Sequence, residues 1–395
     1  MTAIEKRGYA SRYYAKNWDS IFSKDRNITE ENRSGHFRGA FGEDFDGIGP
    51  FLRDTKDSLP LRTIETVEEF CQGVRLKEVL SDAGPAESQH TAWLDERSYS
   101  TNNASLRRES CSSHLSAKQL YKHLKAPRFN CPTRPDADRR LIYIANINAA
   151  HVRILAETAS YHQIAALKDT IWKHLCNEAS IGVKIASKGF TTFQLGFFFP
   201  FYTLRFQSPL EAPGRKSPPR KWRDLSFLHM RPRKSQDDGH YVLHETQFSF
   251  TICGTDNSRW IAYAFDDTKV DDTDLRHGLS LTSDGVDIPC DPTAWNEFND
   301  CLESNQPIWN PREYFLTIMN SRITQVLKEW EDIMARVERS LREDLEKNCH
   351  SSILSSKRGR KNERGEFFRK TLDWAVQNTA DSLGDLQVQT HSLER

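Results

Sequence analysis

The sequence predicts an α+β protein: a mostly antiparallel sheet with covering helices, followed by a long C-terminal amphipathic helix and a second helix. Three observations predict it. Short apolar or alternating runs, bounded by Gly, Asn, Asp and Ser, recur between residues 141 and 265. A helical pattern sits between the first of these runs and the rest. From Asn310 onward, no Gly or Pro after Pro311 breaks the chain until past Asn348, which at 1.5 Å per residue makes a rod of roughly 50 Å.

The elements follow in order. Residues 1–115 read as a loose arm with short helices. Within it, 66–80 can form a small helix with Val67, Phe70, Val74 and Val79 on one side, while 81–115 collect Ser, Asn, Gly and charge without a period, as a linker does. Ser116 is placed to cap a helix running to 124. The main α+β unit spans 116–308. It holds a buried strand at 141–147, then two helices within 149–175 meeting near Tyr161-His162, and a half-buried strand at 181–185. Ser187-Lys188-Gly189 turns the chain into a longer strand, 191–206. A basic loop (208–235) leads to a strand at 241–253, and Gly254-Thr255-Asp256-Asn257-Ser258 turns it into a hairpin partner at 259–265. This order implies a sheet covered on one face. An acidic loop, 266–308, closes the unit.

The long helix is assigned to 309–348, with Asn310 as N-cap, Pro311 at the first helical position and Glu313 in the first turn. Apolar residues recur at spacings of three and four from Phe315 to Leu345, opposite Lys328, Asp332, Arg336 and Arg339. The early part is expected to cover the sheet. Ile323, Val326, Trp330, Ile333, Val337 and Leu341 are the expected interaction residues, for self-association or for a helical protein partner. Residues 349–395 read as a basic linker, with the run Lys357-Arg358-Gly359-Arg360-Lys361, and a second helix through Leu372, Ala375, Val376, Leu383 and Leu386.

Composition narrows the function. The 395-residue chain carries 55 Lys and Arg against 55 Asp and Glu, which argues against a dedicated nucleic-acid binder. Mean hydropathy is −0.68, and the most apolar stretch, 193–206, is too short to span a bilayer. The eight cysteines are scattered with no CxxC pair, and residues 1–30 are charged throughout, unlike a secretory signal. A cytoplasmic setting with free thiols is expected.

Specific chemistry is harder to find. The acid cluster from Asp266 to Asp274 could hold a hard cation, yet it lacks the glycine and closing glutamate of a calcium loop, so a solvated loop is preferred. His151, His162 and His174 do not share ligand spacing on a helix. No nucleophile elbow, phosphate loop, dinucleotide fingerprint or HExxH pair is present. No catalytic residue, cofactor or metal ligand is therefore assigned. The basic loop brings Arg215, Lys216, Arg220, Lys221 and Arg223 around Pro218-Pro219 and Trp222; its charge could touch a peptide module or acidic lipid, a route to peripheral membrane association.

Several stretches carry a resemblance. Arg134-Pro135-Asp136-Ala137-Asp138-Arg139-Arg140-Leu141-Ile142-Tyr143-Ile144, Leu155-Ala156-Glu157-Thr158-Ala159-Ser160-Tyr161-His162-Gln163, Asp256-Asn257-Ser258-Arg259-Trp260-Ile261-Ala262-Tyr263-Ala264-Phe265 and Ile308-Trp309-Asn310-Pro311-Arg312-Glu313-Tyr314-Phe315-Leu316, with Arg322-Ile323 and Glu329-Trp330, mark it. Over about residues 116–390 the chain resembles largely uncharacterised filamentous-fungal proteins described as containing a CorA-like transporter domain. That resemblance implies a cytosolic α/β domain feeding a long stalk helix, in subunits that assemble as a ring, related to magnesium or zinc transport. Two departures stand beside it. The family's Gly-Met-Asn pore signature is missing, and Ile318-Met319-Asn320 does not replace it. No membrane-spanning stretch is found, so conduction by this chain alone is not expected. A non-enzymatic CorA-like domain is the first expectation, and a soluble scaffold or adaptor using the long helix is the alternative.

Overall fold

The computed structural model describes residues 48–53, 61–81, 91–99, 106–107, 112–129, 134–159, 161–185, 193–207, 220–228, 240–254, 259–268, 279–281, 287–289, 291–294, 302 and 306–354. Three helices come first: α1 (Gly49–Arg53), α2 (Leu61–Phe70) and α3 (Leu76–Leu80). Strands β1 (Ala92–Ser98), β2 (Leu106–Arg107) and β3 (Ser112–Leu115) precede α4 (Ala117–Lys125) and β4 (Arg139–Ala145). Helices α5 (Ala149–Thr158) and α6 (Tyr161–Leu175) lead to β5 (Ser180–Ile185) and β6 (Phe193–Gln207). Then come β7 (Trp222–Asp224), β8 (His240–Gly254), β9 (Trp260–Asp266), β10 (Leu279–Leu281) and β11 (Asp287–Pro289), and finally α7 (Pro311–Leu354).

One sheet organises the molecule, in the order β2-β1-β4-β9-β8-β6-β5, with β3 also on β1 and β7 also on β8. Every pair in it is antiparallel except β4 with β9. β10 and β11 form a separate ribbon. Alternation along the strands builds two cores. Leu94, Ile142, Ile144, Ile261, Tyr263 and Phe265 face α1–α6. Leu141, Tyr143, Phe197, Phe248 and Phe250 face the first turns of α7, against Tyr314, Phe315 and Ile318. A third cluster joins Leu225, Leu228 and Leu243 to Ile333 and Val337 lower on α7. The sheet is thus covered on both faces, where one covered face was expected, because α7 lies back along the second.

The strands and helices from 116 to 266 fall where the sequence places them, except within the expected basic loop 208–235, where Trp222–Asp224 form β7 on β8. Ser116 caps α4 through a reciprocal pair with Gln119. Two further expectations fail. Residues 66–80 are not one helix: Gly73 sits at φ +79° between α2 and α3, a conformation that ends a helix. Residues 81–115 are not simply a linker, since β1 lies inside the sheet, paired to β4 over six residues from Ala92 to Arg97. That strand escapes a periodicity test because its second half, Asp95-Glu96-Arg97, is charged and yet buried. Arg139 and Arg140 on β4 make this tolerable: Arg139 donates to Asp95 at 2.8 Å, and Arg140 donates to Glu96 at 2.6 Å. The core unit therefore begins well before residue 116.

Candidate functional site

The polar groups that a sequence reader would test for chemistry converge where β9 ends. Asp266 and Asp267 open the expected acidic loop, and both are buried and already partnered. The Asp266 carboxylate accepts from Tyr143 Oη at 3.0 Å and from the Thr268 backbone N–H at 2.8 Å. Arg322 Nη1 lies 3.2 Å from its Oδ2. Burial first, then the Asp266 charge, push the Tyr143 phenol well above its ordinary pKa, so it stays a donor.

Arg322 comes from the sheet-facing side of α7. Its Nε donates to the Thr293 carbonyl at 2.8 Å, Nη1 to Gln325 Oε1 at 2.7 Å and Nη2 to the Pro292 carbonyl at 2.9 Å. The guanidinium also lies over the Phe248 ring, 3.8 Å from its centroid. Each nitrogen of the planar fork has an acceptor here, an arrangement that a lysine could not reproduce.

Asp267 continues into a second set. Its Oδ1 is 3.1 Å from His174 Nε2, whose Nδ1 is 2.9 Å from Ser249 Oγ. Gln247 Nε2 donates to the same Ser249 oxygen at 3.2 Å. Burial lowers the His174 pKa against the pull of Asp267, and its two ring nitrogens face the carboxylate and the serine hydroxyl. Arg220 occupies the other side of Asp267, donating from Nε at 2.7 Å, and reaches the His174 carbonyl at 2.7 Å. Burial raises the Asp267 pKa, but the His174 and Arg220 contacts outweigh it and hold it at about 2.

Serine, histidine and aspartate in a hydrogen-bonded row invite a comparison with nucleophilic catalysis, and the geometry argues against it. Ser249 and His174 are wholly buried. Ser249 sits in the middle of β8, paired to Phe198 on one side and to Phe265 on the other. A nucleophile must reach a carbonyl at the surface, and this oxygen faces α6 within the core. What the row does is bind the end of α6, strands β8 and β9 and the segment before β7 into one block. Arg220, expected as part of a free basic loop, is one of its fasteners; Arg215 and Lys216 lie outside the described residues.

A third polar locus fixes the root of α7. Asp291 accepts from Tyr314 Oη at 2.6 Å and from Thr293 Oγ1 at 2.6 Å. Trp260 Nε1 donates to the Trp309 carbonyl at 2.8 Å, and the Arg139 guanidinium lies 5.2 Å and 5.0 Å from the Trp260 and Tyr314 ring centroids.

Of the six expected interaction residues, five are taken up by the chain's own sheet side. Ile333 and Val337 are buried, and Val326, Trp330 and Leu341 are half-buried against it. Trp330 meets Tyr202 edge-on at 6.1 Å. Ile323 alone is exposed, at 39%. His151 is buried in α5, and burial lowers its pKa to about 4. Among the described residues no cluster of His, Cys, Asp or Glu could hold a metal ion, and no helix is long and apolar enough to cross a membrane. The remaining acids of the acidic cluster, 269–274, lie outside the described residues. Comparison with family models, with curated proteins and with solved structures finds no match to this chain.

Proposed function

We propose that this chain is a non-enzymatic, cytoplasmic CorA-like domain related to divalent-cation transporters, whose work is assembly through its long helix. The single observation carrying the reading is the length of α7 beyond its anchored root. Tyr314, Arg322 and Ile333 hold it to the sheet side, Leu341 packs there too, and the helix runs on to Leu354. The residues after Leu341 add about 20 Å of helix at 1.5 Å per residue. A long helix with an anchored root suits a module that transmits or receives position from a neighbour. The polar sets support a structural role for the globule, because Asp266 and Asp267 at the end of β9 are each paired with a buried arginine.

The association surface is accordingly the distal end of α7, not the sheet-facing residues above it. Sedimentation of chains ending at Leu354 and at Glu343 tests this. Concentration-dependent association in the longer chain, lost in the shorter one with the fold retained, is the expected result. Two monomers of unchanged mass at high concentration would remove the proposal.

A further inference from the structure

Among the described residues, β5 pairs with β6 on one side and with no strand on the other. Such an edge is usually blunted by proline, by a bulge, or by a charge turned across it. β5 has no proline and holds six residues in unbroken register with β6, from Ser180↔Phe198 to Ile185↔Phe193. Its one charge, Lys184, lies back towards α6, 3.4 Å from Asp169. The strand is two-faced. Ile181 and Val183 stand opposite Phe197 and Leu195, on the side where α7 packs. Ser180, Gly182 and Lys184 are on the α6 side, where Lys184 and Gln194 share Asp169. Val183, at 59%, is the most exposed large apolar side chain among the described residues. Gly182 does not serve its own fold by lacking a side chain, because a Cβ there would meet nothing within 4 Å. A glycine inside a strand is otherwise a mark of close approach by another backbone.

We infer that β5 pairs antiparallel with β5 of a second copy of this chain, about a two-fold axis at Gly182. The strand is complementary to itself in that register. Ile181 of each copy stands opposite Val183 of the other, which covers both exposed valines on the α7 side. On the α6 side, Lys184 of each copy stands opposite Ser180 of the other and diagonal to Glu178, within reach of a long side chain. The Glu178 carboxyl is on that side, in the field of Lys173 and Asp169. Two contacts of opposite charge result, one at each end of the pair, and the two glycines keep the middle clear. A register displaced by one residue would set apolar face against polar face. There is room for the pair. α6 packs chiefly on β8 and α7 chiefly on β6. The strands under the two α7 helices are then three spacings apart, about 14 Å, where packed helices need roughly 8–10 Å. Six residues a side make a small contact. The pairing therefore draws on the local concentration that association through α7 supplies, and to that extent it rests on the function proposed above.

Cysteine trapping on the full chain tests it, with the mass of the reduced protein measured alongside by sedimentation. All variants carry Cys176→Ser, because that thiol is exposed. Opposed residues of an antiparallel pair have Cα atoms about 4.5–5.5 Å apart, which a disulfide spans. On mild oxidation Gly182→Cys is expected to give a dimer linked between the two introduced thiols, as read by peptide mass spectrometry. It should form at least about tenfold faster than with Lys184→Cys, whose counterpart lies about 14 Å away. Lys184→Cys combined with Ser180→Cys is expected to link between copies, and decides the matter if Gly182→Cys loosens the sheet. A reduced protein that associates but gives none of these links overturns the pairing and leaves the α7 reading in place. Links in a chain that otherwise sediments as a monomer support the pairing and remove the α7 reading. A monomer without links overturns both. Equal linking by Gly182→Cys and Lys184→Cys is random collision and overturns the pairing.

Discussion

Arg322 on α7 meets Asp266 at the end of β9 at 3.2 Å, with both side chains closed to water. The pair sits where the long helix crosses the central strands, so it ties the helix to the sheet at one angular position. Apolar contacts alone would tolerate a slide of α7 by a turn; a cation whose donors each have a fixed acceptor does not. The globule thereby determines where the distal helix points.

Breaking one side of this pair leaves the other charge buried. Arg322→Met keeps the packing volume and the contact with Phe248, yet strands the Asp266 carboxylate. We expect a loss of about 3–5 kcal/mol in urea unfolding. Arg322→Met combined with Asp266→Asn should recover a good part of that loss, because neither charge then remains. A double variant no more stable than Arg322→Met would show that the pair is not the source of the effect.

Asp267 gives a pH signature. Its folded pKa of about 2 lies below the ordinary value of 3.8, so the stability that it contributes is present above pH 4 and is lost as pH falls through 4 towards 2. The shift corresponds to about 2 kcal/mol. The stability difference between the parent and Asp267→Asn should therefore shrink by about that amount from pH 5 to pH 2, as read by chemical denaturation at each pH. A constant difference across that range would contradict the Arg220 and His174 contacts.

The parts of this fold legible in sequence are those whose burial is apolar. β8 and β9 are rich in apolar residues and are separated by a turn from Gly254 to Ser258; α7 shows its N-cap, its proline and its three-four spacing. What stayed hidden is burial achieved by charge. β1 reads as a linker because Asp95, Glu96 and Arg97 look solvated until Arg139 and Arg140 are known to stand across from them. The same blindness affects the candidate site: Arg322 is one charge within an apolar stripe, and Asp266 and Asp267 look like the opening of a solvated loop. A signal did exist for Arg322, since it falls at the centre of the sheet-facing side defined by Phe315, Ile318 and Ile333. Partner identity, however, needs three dimensions. Five of the six expected interaction residues turn inward for a related reason: periodicity marks an apolar face and does not say whether the cover is the chain's own.

His151 should make the protein acid-sensitive in a different window. Both of its ring nitrogens are buried without a hydrogen-bond partner among the described residues, and burial lowers its pKa from 6.5 to about 4. The unfolded chain then binds the extra proton first, so stability falls as pH drops from about 6.5 to 4, by about 3 kcal/mol. His151→Leu removes a charge-prone group from an apolar site and should flatten most of that slope. His174, lowered in the same direction, leaves a residual one. An unchanged slope in His151→Leu would place the titration elsewhere.

The two sides of α7 should respond oppositely to the same kind of substitution. Val337 is 5% exposed and packs with Ile333, Leu225 and Leu243. Val337→Asp places an unpaired carboxylate in that cluster and should cost about 3 kcal/mol or more, seen as a lower unfolding midpoint. Trp330→Asp acts on the same cluster through the lost contact with Tyr202. Ile323 is exposed on α7, and Ile323→Glu should change the stability of β8 and β9 by less than about 1 kcal/mol. The contrast separates a helix folded back on its own sheet from one held by another subunit, since a rod standing free would tolerate Val337→Asp as readily as Ile323→Glu. Comparable midpoints for those two variants would mean that α7 does not lie on the sheet in solution.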